Sequence, residues 1–322
     1  MNSQPWFRAR VAHKQLEAEG IYRFELRPDP GDSFPAFEAG AHLDLRVGDK
    51  LRQYSLCNDP TERDRYVIAI QREPTGRGGS QEACDTLEAG AKVSLRGPRN
   101  FFRLSPDTRE AILLAGGIGI TPLLAMAESL WRQGIPFELH FCTRSESRTP
   151  FLQRLRNAPF CDSIHFHVTP PAPLPASSLS QWIGVGRPGR HLYVCGPGGF
   201  VEAALTATRA LAWSSQQVHT ERFSSAGLTN PGEDRAFVVE IASTGQLVDV
   251  PAGTSAIQAL RASGIDVATS CSEGFCGTCL TGVLRGVPEH RDTFLSEDER
   301  ARNDSFTPCC SRAVTDLLVL DL

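Results

Sequence analysis

Cys271-Ser-Glu-Gly-Phe-Cys276-Gly-Thr-Cys279 sets three thiols at C-x4-C-x2-C spacing, and Cys309 supplies a fourth further along the chain. This is the plant-type pattern that holds a 2Fe–2S cluster. Four thiolates must converge on a compact, doubly bridged di-iron unit, so one tight loop gives three and a neighbouring segment gives the last. Gly274 and Gly277 stand between the thiols, where the backbone wraps closely and needs conformations open to glycine. The small neighbours Ser270, Ser272 and Thr278 leave room for backbone N–H groups to point at the sulfurs, which tunes a cluster's potential. A four-thiolate zinc site is the competing reading. Zinc sites of that kind pair their thiols two and two, whereas these divide three and one.

Four stretches upstream could hold other redox groups. Arg52-Gln-Tyr54-Ser55-Leu-Cys57, with Gly76-Arg-Gly78-Gly79-Ser80, suits a flavin: arginine contacts phosphate bidentately, glycine N–H groups cradle its oxygens, and tyrosine offers an aromatic face. Taken singly, each is equally an ordinary strand and a plain turn. Gly116-Gly117-Ile-Gly119-Ile-Thr121-Pro122 lacks the Rossmann glycine spacing, yet it joins a buried strand to a helix N-terminus, where N–H groups and the dipole attract a pyrophosphate. Thr121 suits the cap of that helix and Pro122 its first position. Val194-Cys195-Gly196-Pro197-Gly-Gly199 repeats the strand–turn–helix logic, so the two turns together could flank one extended dinucleotide. Cys195 alone also reads as a small buried residue at a strand end. In His219-Thr-Glu221-Arg-Phe223, Phe223 could close over a flavin or simply pack between domains. His219 and Glu221 read as structural hydrogen-bonding groups, since hydride transfer to a flavin needs no proton relay there.

The elements that must position these residues fall into three blocks. Up to about residue 100, short period-two runs (Ile21–Leu26, His42–Val47, Arg65–Arg72, Lys92–Arg96) separated by Pro, Gly and Asp clusters predict an antiparallel sheet or small barrel, with a helix through Cys84–Leu87. From Ala111 the pattern becomes continuous apolar strands (Ala111–Ala115, Phe137–Thr143, Ser163–Val168, His191–Cys195). Helical stretches alternate with them at Thr121–Trp131, Pro150–Asn157, Ser178–Ile183 and Gly199–Ala212, which predicts an α/β domain with a parallel sheet. The proline-rich Thr169–Pro175 reads as a stiff connecting loop. Ser224–Asp234 has linker composition. A hairpin (Ala236–Ala242, Leu247–Val250), a helix at Ser255–Ser263, the cysteine loop and a strand at Asp316–Leu322 complete the chain. The expected domains are 1–104, 105–224 and 236–322, with 225–235 as linker.

Composition narrows the function. A chain of 322 residues is long for one core. It contains no run of eighteen apolar residues that could span a membrane, and its start lacks the build of a secretory signal. Of ten cysteines, the six outside the cluster pattern are scattered, so the chain reads as reduced and cytoplasmic. Net charge is −4, and from Glu233 onward 14 acidic residues face 7 arginines and no lysine. That acidic segment argues against nucleic acid and is compatible with docking on a basic protein surface.

The motifs in this order resemble the ferredoxin–NADP reductase superfamily. With a plant-type cluster domain at the C-terminal end, they resemble the phthalate dioxygenase reductase family, which includes vanillate O-demethylase reductases. His290-Arg-Asp292, Pro308-Cys309-Cys310-Ser311-Arg312-Ala313 and Leu318-Val-Leu-Asp-Leu322 are similar to that family's tail. The resemblance implies an antiparallel flavin-binding β-barrel, a parallel-sheet nucleotide domain and a ferredoxin-like β-grasp domain. It implies FMN rather than FAD, with Arg52, Tyr54 and Ser55 on the flavin and Gly78, Gly79 and Ser80 on its phosphate. Gly117, Gly119, Thr121, Cys195, Gly196 and Pro197 would line NADH, with Ser55, Thr121, Cys195 and Phe223 at the point of reaction. Cys271, Cys276, Cys279 and Cys309 would ligate iron. After Thr143-Arg144, several relatives carry an Asp suited to the ribose where this chain has Ser145, with Arg148 nearby, which loosens the NADH assignment and admits NADPH.

The function so implied is the reductase component of a multicomponent aromatic-ring oxygenase or demethylase. NADH delivers two electrons, the cluster accepts one at a time, and a flavin converts between them. A terminal oxygenase would be the protein partner, docking on the acidic domain around Glu289–Glu299, with a monomer as the expectation for this chain. Two other readings stand beside it: a stand-alone flavin NAD(P)H oxidase or diaphorase, and a zinc-stapled nucleotide-binding module.

Overall fold

The computed structural model describes residues 5–74, 78–169, 176–223, 234–269, 271–295 and 297–322. The chain divides into two compact units, Met1–Glu221 and Arg222–Leu322.

The first unit opens with β1 (Phe7–Ala18), β2 (Ile21–Pro28), β3 (His42–Val47), β4 (Lys50–Ser55), β5 (Tyr66–Gln71), helix α1 (Gly79–Thr86) and β6 (Lys92–Arg99). The strands form one sheet in the order β4-β3-β6-β1-β2-β5, antiparallel where the register is given. A single bridge, Leu56 to Ile68, and a 2.9 Å hydrogen bond from Cys57 N–H to the Val67 carbonyl join its two ends, so the sheet closes as a barrel. Alternation along the strands sends Val11, Phe24, Leu26, Leu43, Leu45, Ile68 and Leu95 inward. Phe34 stacks on Tyr66 at 4.1 Å between ring centres and plugs the interior. Asp44 is fully buried and held between Arg96 (2.8 Å) and Arg99 (2.6 Å), which fixes β3 against β6. Helix α1 starts five residues earlier than its periodicity suggested, because Gly78 in the left-handed conformation (φ 77°) turns the chain directly into it.

The same unit continues with β7 (Glu110–Gly116), α2 (Ile120–Arg132), β8 (Phe137–Thr143), α3 (Leu152–Arg156), β9 (Ile164–Val168), α4 (Ala176–Ile183), β10 (Arg190–Gly196), α5 (Gly198–Arg209) and β11 (Val218–Arg222). The sheet order is β11-β10-β7-β8-β9, and β10, β7, β8 and β9 run parallel. Ile112, Leu114, Leu192 and Val194 face α4 and α5, where Leu179, Ile183, Val201 and Ala204 meet them. Helix α2 follows β7 through a 3₁₀ turn, Gly117–Gly119, and begins one residue before Thr121. The Thr121 hydroxyl therefore does not cap the helix; it donates back to the Ile118 carbonyl at 3.0 Å, and Pro122 occupies the third position, where a missing N–H still costs nothing.

The second unit comprises β12 (Phe237–Ile241), β13 (Leu247–Val250), α6 (Ala256–Ala262), β14 (Thr281–Arg285), β15 (Pro288–Glu289), α7 (Glu297–Arg302), β16 (Ser305–Phe306), β17 (Arg312–Ala313) and β18 (Leu317–Leu320). Its main sheet, β13-β12-β18-β14-β16, is mixed: β12 pairs with β13 antiparallel and with β18 parallel. Ser255 caps α6 in a capping box with Gln258, and Ile257 and Leu260 pack on the sheet. The Gly76–Arg77 pair, the proline loop beyond Thr169, the linker before Asp234 and Ser270 lie outside the described residues. Among the described residues no helix is long and apolar enough to cross a membrane.

Candidate functional site

The cysteine loop comes between α6 and β14, and the fourth thiol lies just before β17. All four sulfur-bearing residues are buried, at 6% exposure for Cys271, 8% for Cys276, 2% for Cys279 and 7% for Cys309. The thiols form a chain of contacts: Cys271 hydrogen-bonds Cys276 and Cys309, and Cys309 reaches Cys279. The backbone N–H of Glu273 donates to the Cys271 sulfur at 3.3 Å. Such N–H groups favour thiolate sulfur, the form in which cysteine binds metal.

Glycine is required here by space as well as by φ. Gly274 (φ 79°) would bring a Cβ to 3.0 Å from Asp292 Cα and onto the Cys310 sulfur, and Gly277 (φ 67°) would press one into the Phe294 ring. Cys310 thus packs against the loop backbone and bonds the Thr307 hydroxyl at 3.3 Å. Asp292, 1% exposed, ties the parts together. Its Oδ2 accepts from the N–H groups of Phe294 and Leu295 at 3.1 and 2.7 Å, and Ser311 donates to its Oδ1 at 3.3 Å. Four buried cysteine sulfurs are the donor set that a 2Fe–2S cluster takes.

In the barrel, Arg52 and the N-terminus of α1 make an anion cradle. The guanidinium lies so close over Gly79 that a Cβ there would sit 2.7 Å from Arg52 Cζ. Gly78 precedes it, and Ser80, at the second helical position, accepts from the Glu73 N–H at 3.2 Å. The first N–H groups of a helix have no partner within it, so a cation and these donors face one place. Tyr54, two residues on from Arg52, has a buried hydroxyl with no hydrogen-bond partner among the described residues, and burial pushes its ionisation up.

The glycine turns lie at the carboxyl ends of β7 and β10, and they touch. A Cβ on Gly119 would come within 2.5 Å of the Cys195 carbonyl carbon and 2.8 Å of Gly196 N, so only glycine allows the approach. A Cβ on Gly196 would come within 3.1 Å of Gly116 Cα, and Pro197 stands at the start of α5. Gly117 holds φ 55°. Thr121 is buried beside them. The ends of α2 and α5 thus open at one edge, the place where parallel sheets bind ligands.

Three groups from separate elements converge between barrel and sheet. Ser55 at the end of β4 hydrogen-bonds Glu221 on β11, and Cys195 at the end of β10 feels the same carboxylate. Burial raises the Glu221 carboxyl to about 8, and its Oε2 has no partner among the described residues. The Cys195 thiol is held well above its ordinary range by burial and then by Glu221. Ser55 and Cys195 were expected from the sequence; Glu221 was read there as structural. The signal was available: it is an acid in the strand that ends the parallel sheet, in the motif that also carries Phe223. His219 fits the structural reading, with its Nε2 3.0 Å from His191 Nδ1 and its ring against Tyr193. Phe223 is half-buried and belongs to the second unit. Arg148, beyond β8, is engaged by Glu19 at 2.7 Å.

Comparison with known proteins agrees with this architecture. A family model described as a 2Fe-2S iron-sulfur cluster binding domain matches residues 239–314. The chain is 45% identical to vanillate O-demethylase oxidoreductase of Pseudomonas putida over 316 residues, covering 98% of this chain and 99% of that one. It is similar to the solved structure of phthalate dioxygenase reductase, titled a modular structure for electron transfer from pyridine nucleotides to [2Fe-2S], with a TM-score of 0.73, 37% identity and 98% of each chain covered. It also matches an intact type IV self-sufficient cytochrome P450 monooxygenase (TM-score 0.87, 35% identity), covering all of this chain and 42% of that one. With nearly full-length similarity on both sides and a buried four-thiol pocket in the matched domain, the chain belongs to the phthalate dioxygenase reductase family of iron–sulfur flavoprotein oxidoreductases.

Proposed function

We propose that this chain is the electron-supplying component of an aromatic-ring oxygenase or demethylase: it oxidises NADH and delivers electrons singly to a separate terminal oxygenase. The observation that carries the reading is the pairing, in one chain, of a four-thiol pocket with the meeting of Ser55, Cys195 and Glu221. FMN and a 2Fe–2S cluster, when bound, supply the conversion between a two-electron donor and one-electron deliveries.

The chain's own residues bind, orient and insulate. Arg52 with Gly78, Gly79 and Ser80 would hold the FMN phosphate, with Tyr54 and Ser55 against the flavin. Gly117, Gly119, Thr121, Gly196 and Pro197 would seat the dinucleotide and bring its reactive ring to Cys195. There Glu221, kept neutral by burial and held by its Ser55 hydrogen bond, would add no negative charge beside the bound groups. Cys271, Cys276, Cys279 and Cys309 would ligate the cluster. On this reading residues 1–104 serve the flavin, 105–224 the nucleotide and 236–322 the cluster and the docking of the partner. Ten free cysteines support a reducing, cytoplasmic setting.

Cys279→Ser tests the reading. The variant should keep NADH-driven reduction of a small dye and lose reduction of a one-electron protein acceptor. Undiminished transfer to the protein acceptor would overturn it in favour of a stand-alone flavin oxidase.

A further inference from the structure

One face of the parallel sheet carries a polar cluster that the redox site does not use. The register pairs Ile112 with Glu138, Leu114 with His140, and His140 with His165. Partners across a ladder share a face, so Glu138 and His140 of β8 and His165 and His167 of β9 all point to the α4 and α5 side. A parallel sheet covered by helices calls for apolar side chains there. His140 is nevertheless only 4% exposed. Its Nε2 lies 3.3 Å from Glu138 Oε2 and its Nδ1 3.1 Å from His167 Nε2. Its ring stacks on His165 at 4.8 Å, while Trp182 of α4 covers His167 at 3.7 Å. One donor atom from each of Glu138, His140 and His165 lies within 4.8 Å of the other two.

We propose that Glu138, His140 and His165 form a binding site for a divalent transition-metal ion of the zinc type, clipping the edge strand β9 to β8. Two imidazoles and a carboxylate are a donor set these ions accept, with a fourth position left to water. Ligands at about 2.0–2.2 Å around a tetrahedral ion stand roughly 3.3–3.5 Å apart, which Glu138 and His140 already satisfy. His165 is exposed, and one of its ring nitrogens lies within 4.8 Å of donor atoms of the other two. Metal ligation needs neutral imidazole. With His140 ligating through Nε2, its Nδ1–H donates to His167 Nε2, and the Trp182 ring keeps His167 in place: the outer partner that ligating histidines require.

The test is equilibrium dialysis of the cofactor-loaded protein against Zn2+, with iron and sulfide measured to show that the cluster thiols are occupied. Cu2+ serves as a second probe, read by nitrogen hyperfine splitting in electron paramagnetic resonance. The expected result is one added zinc per chain. Its affinity should fall at least tenfold in His165→Ala and in Glu138→Gln, both exposed positions, and remain unchanged in His13→Ala, an exposed histidine elsewhere. Absence of a saturable zinc site, or equal affinity in the parent and His165→Ala, would overturn the proposal.

Discussion

The neutral carboxyl of Glu221 makes a quantitative prediction. Its folded value of about 8 stands against an ordinary 4.5, because burial penalises the charged form more than the Ser55 hydrogen bond favours it. Between these two values the folded chain keeps a proton that the unfolded chain has released. Stability linked to this group is therefore complete below pH 4.5 and is lost as pH rises to about 8. Each unit is worth about 1.4 kcal/mol, so the full window amounts to about 5 kcal/mol, with about 3 already lost by pH 7. Glu221→Gln keeps the shape and removes the titration. Urea unfolding of both cofactor-loaded proteins at pH 5, 7 and 9 should give curves that diverge, the variant gaining on the parent by several kcal/mol toward pH 9. Comparing the two proteins cancels titrations they share. Parallel pH profiles would refute the reasoning, since they would mean that Glu221 is charged in the folded protein.

Other substitutions probe the remaining contacts. Gly119→Ala drives a methyl into the Cys195 backbone, so the two glycine turns must part; KM for NADH should rise at least tenfold while flavin content is kept, as steady-state kinetics and absorbance would report. Gly79→Ala pushes the Arg52 guanidinium off the start of α1, and the protein should release FMN at least tenfold more readily in flavin-binding titrations. Asp44→Asn leaves Arg96 and Arg99 facing an uncharged group in a fully buried place, and denaturant unfolding should report a loss of about 3–5 kcal/mol.

Much of this was legible in the sequence because the relevant constraints are local. Thiol spacing, the glycines between thiols, and glycine turns after apolar strands are set within a few residues, and the structure shows four buried cysteines and glycine turns after β7 and β10. The strand Phe137–Thr143 and the helix capped by Ser255 were likewise plain from alternation and capping chemistry. Two kinds of information were not local. Glu221 gains its character from burial, against the opposing hydrogen bond of Ser55, more than 150 positions away; no spacing rule carries that. The His140 cluster arises from the register of β8 against β9, which a sequence of separate strands does not state. The starts of α1 and α2 were misplaced for a smaller reason. Gly78 and the Gly117–Gly119 turn lead the backbone into the helix without a side-chain cap, so Thr121 marked the wrong residue.

The central claim, one chain carrying electrons from a pyridine nucleotide through a flavin to four cysteine sulfurs, is tested most directly by one spectrum. The protein, purified anaerobically and assayed for iron, sulfide and flavin, would be titrated with NADH under visible light absorbance. The account predicts two irons, two sulfides and one FMN per chain, with flavin and cluster bands bleaching together. A flavin that bleaches beside zinc in place of iron, with no cluster band at any stage, would contradict it.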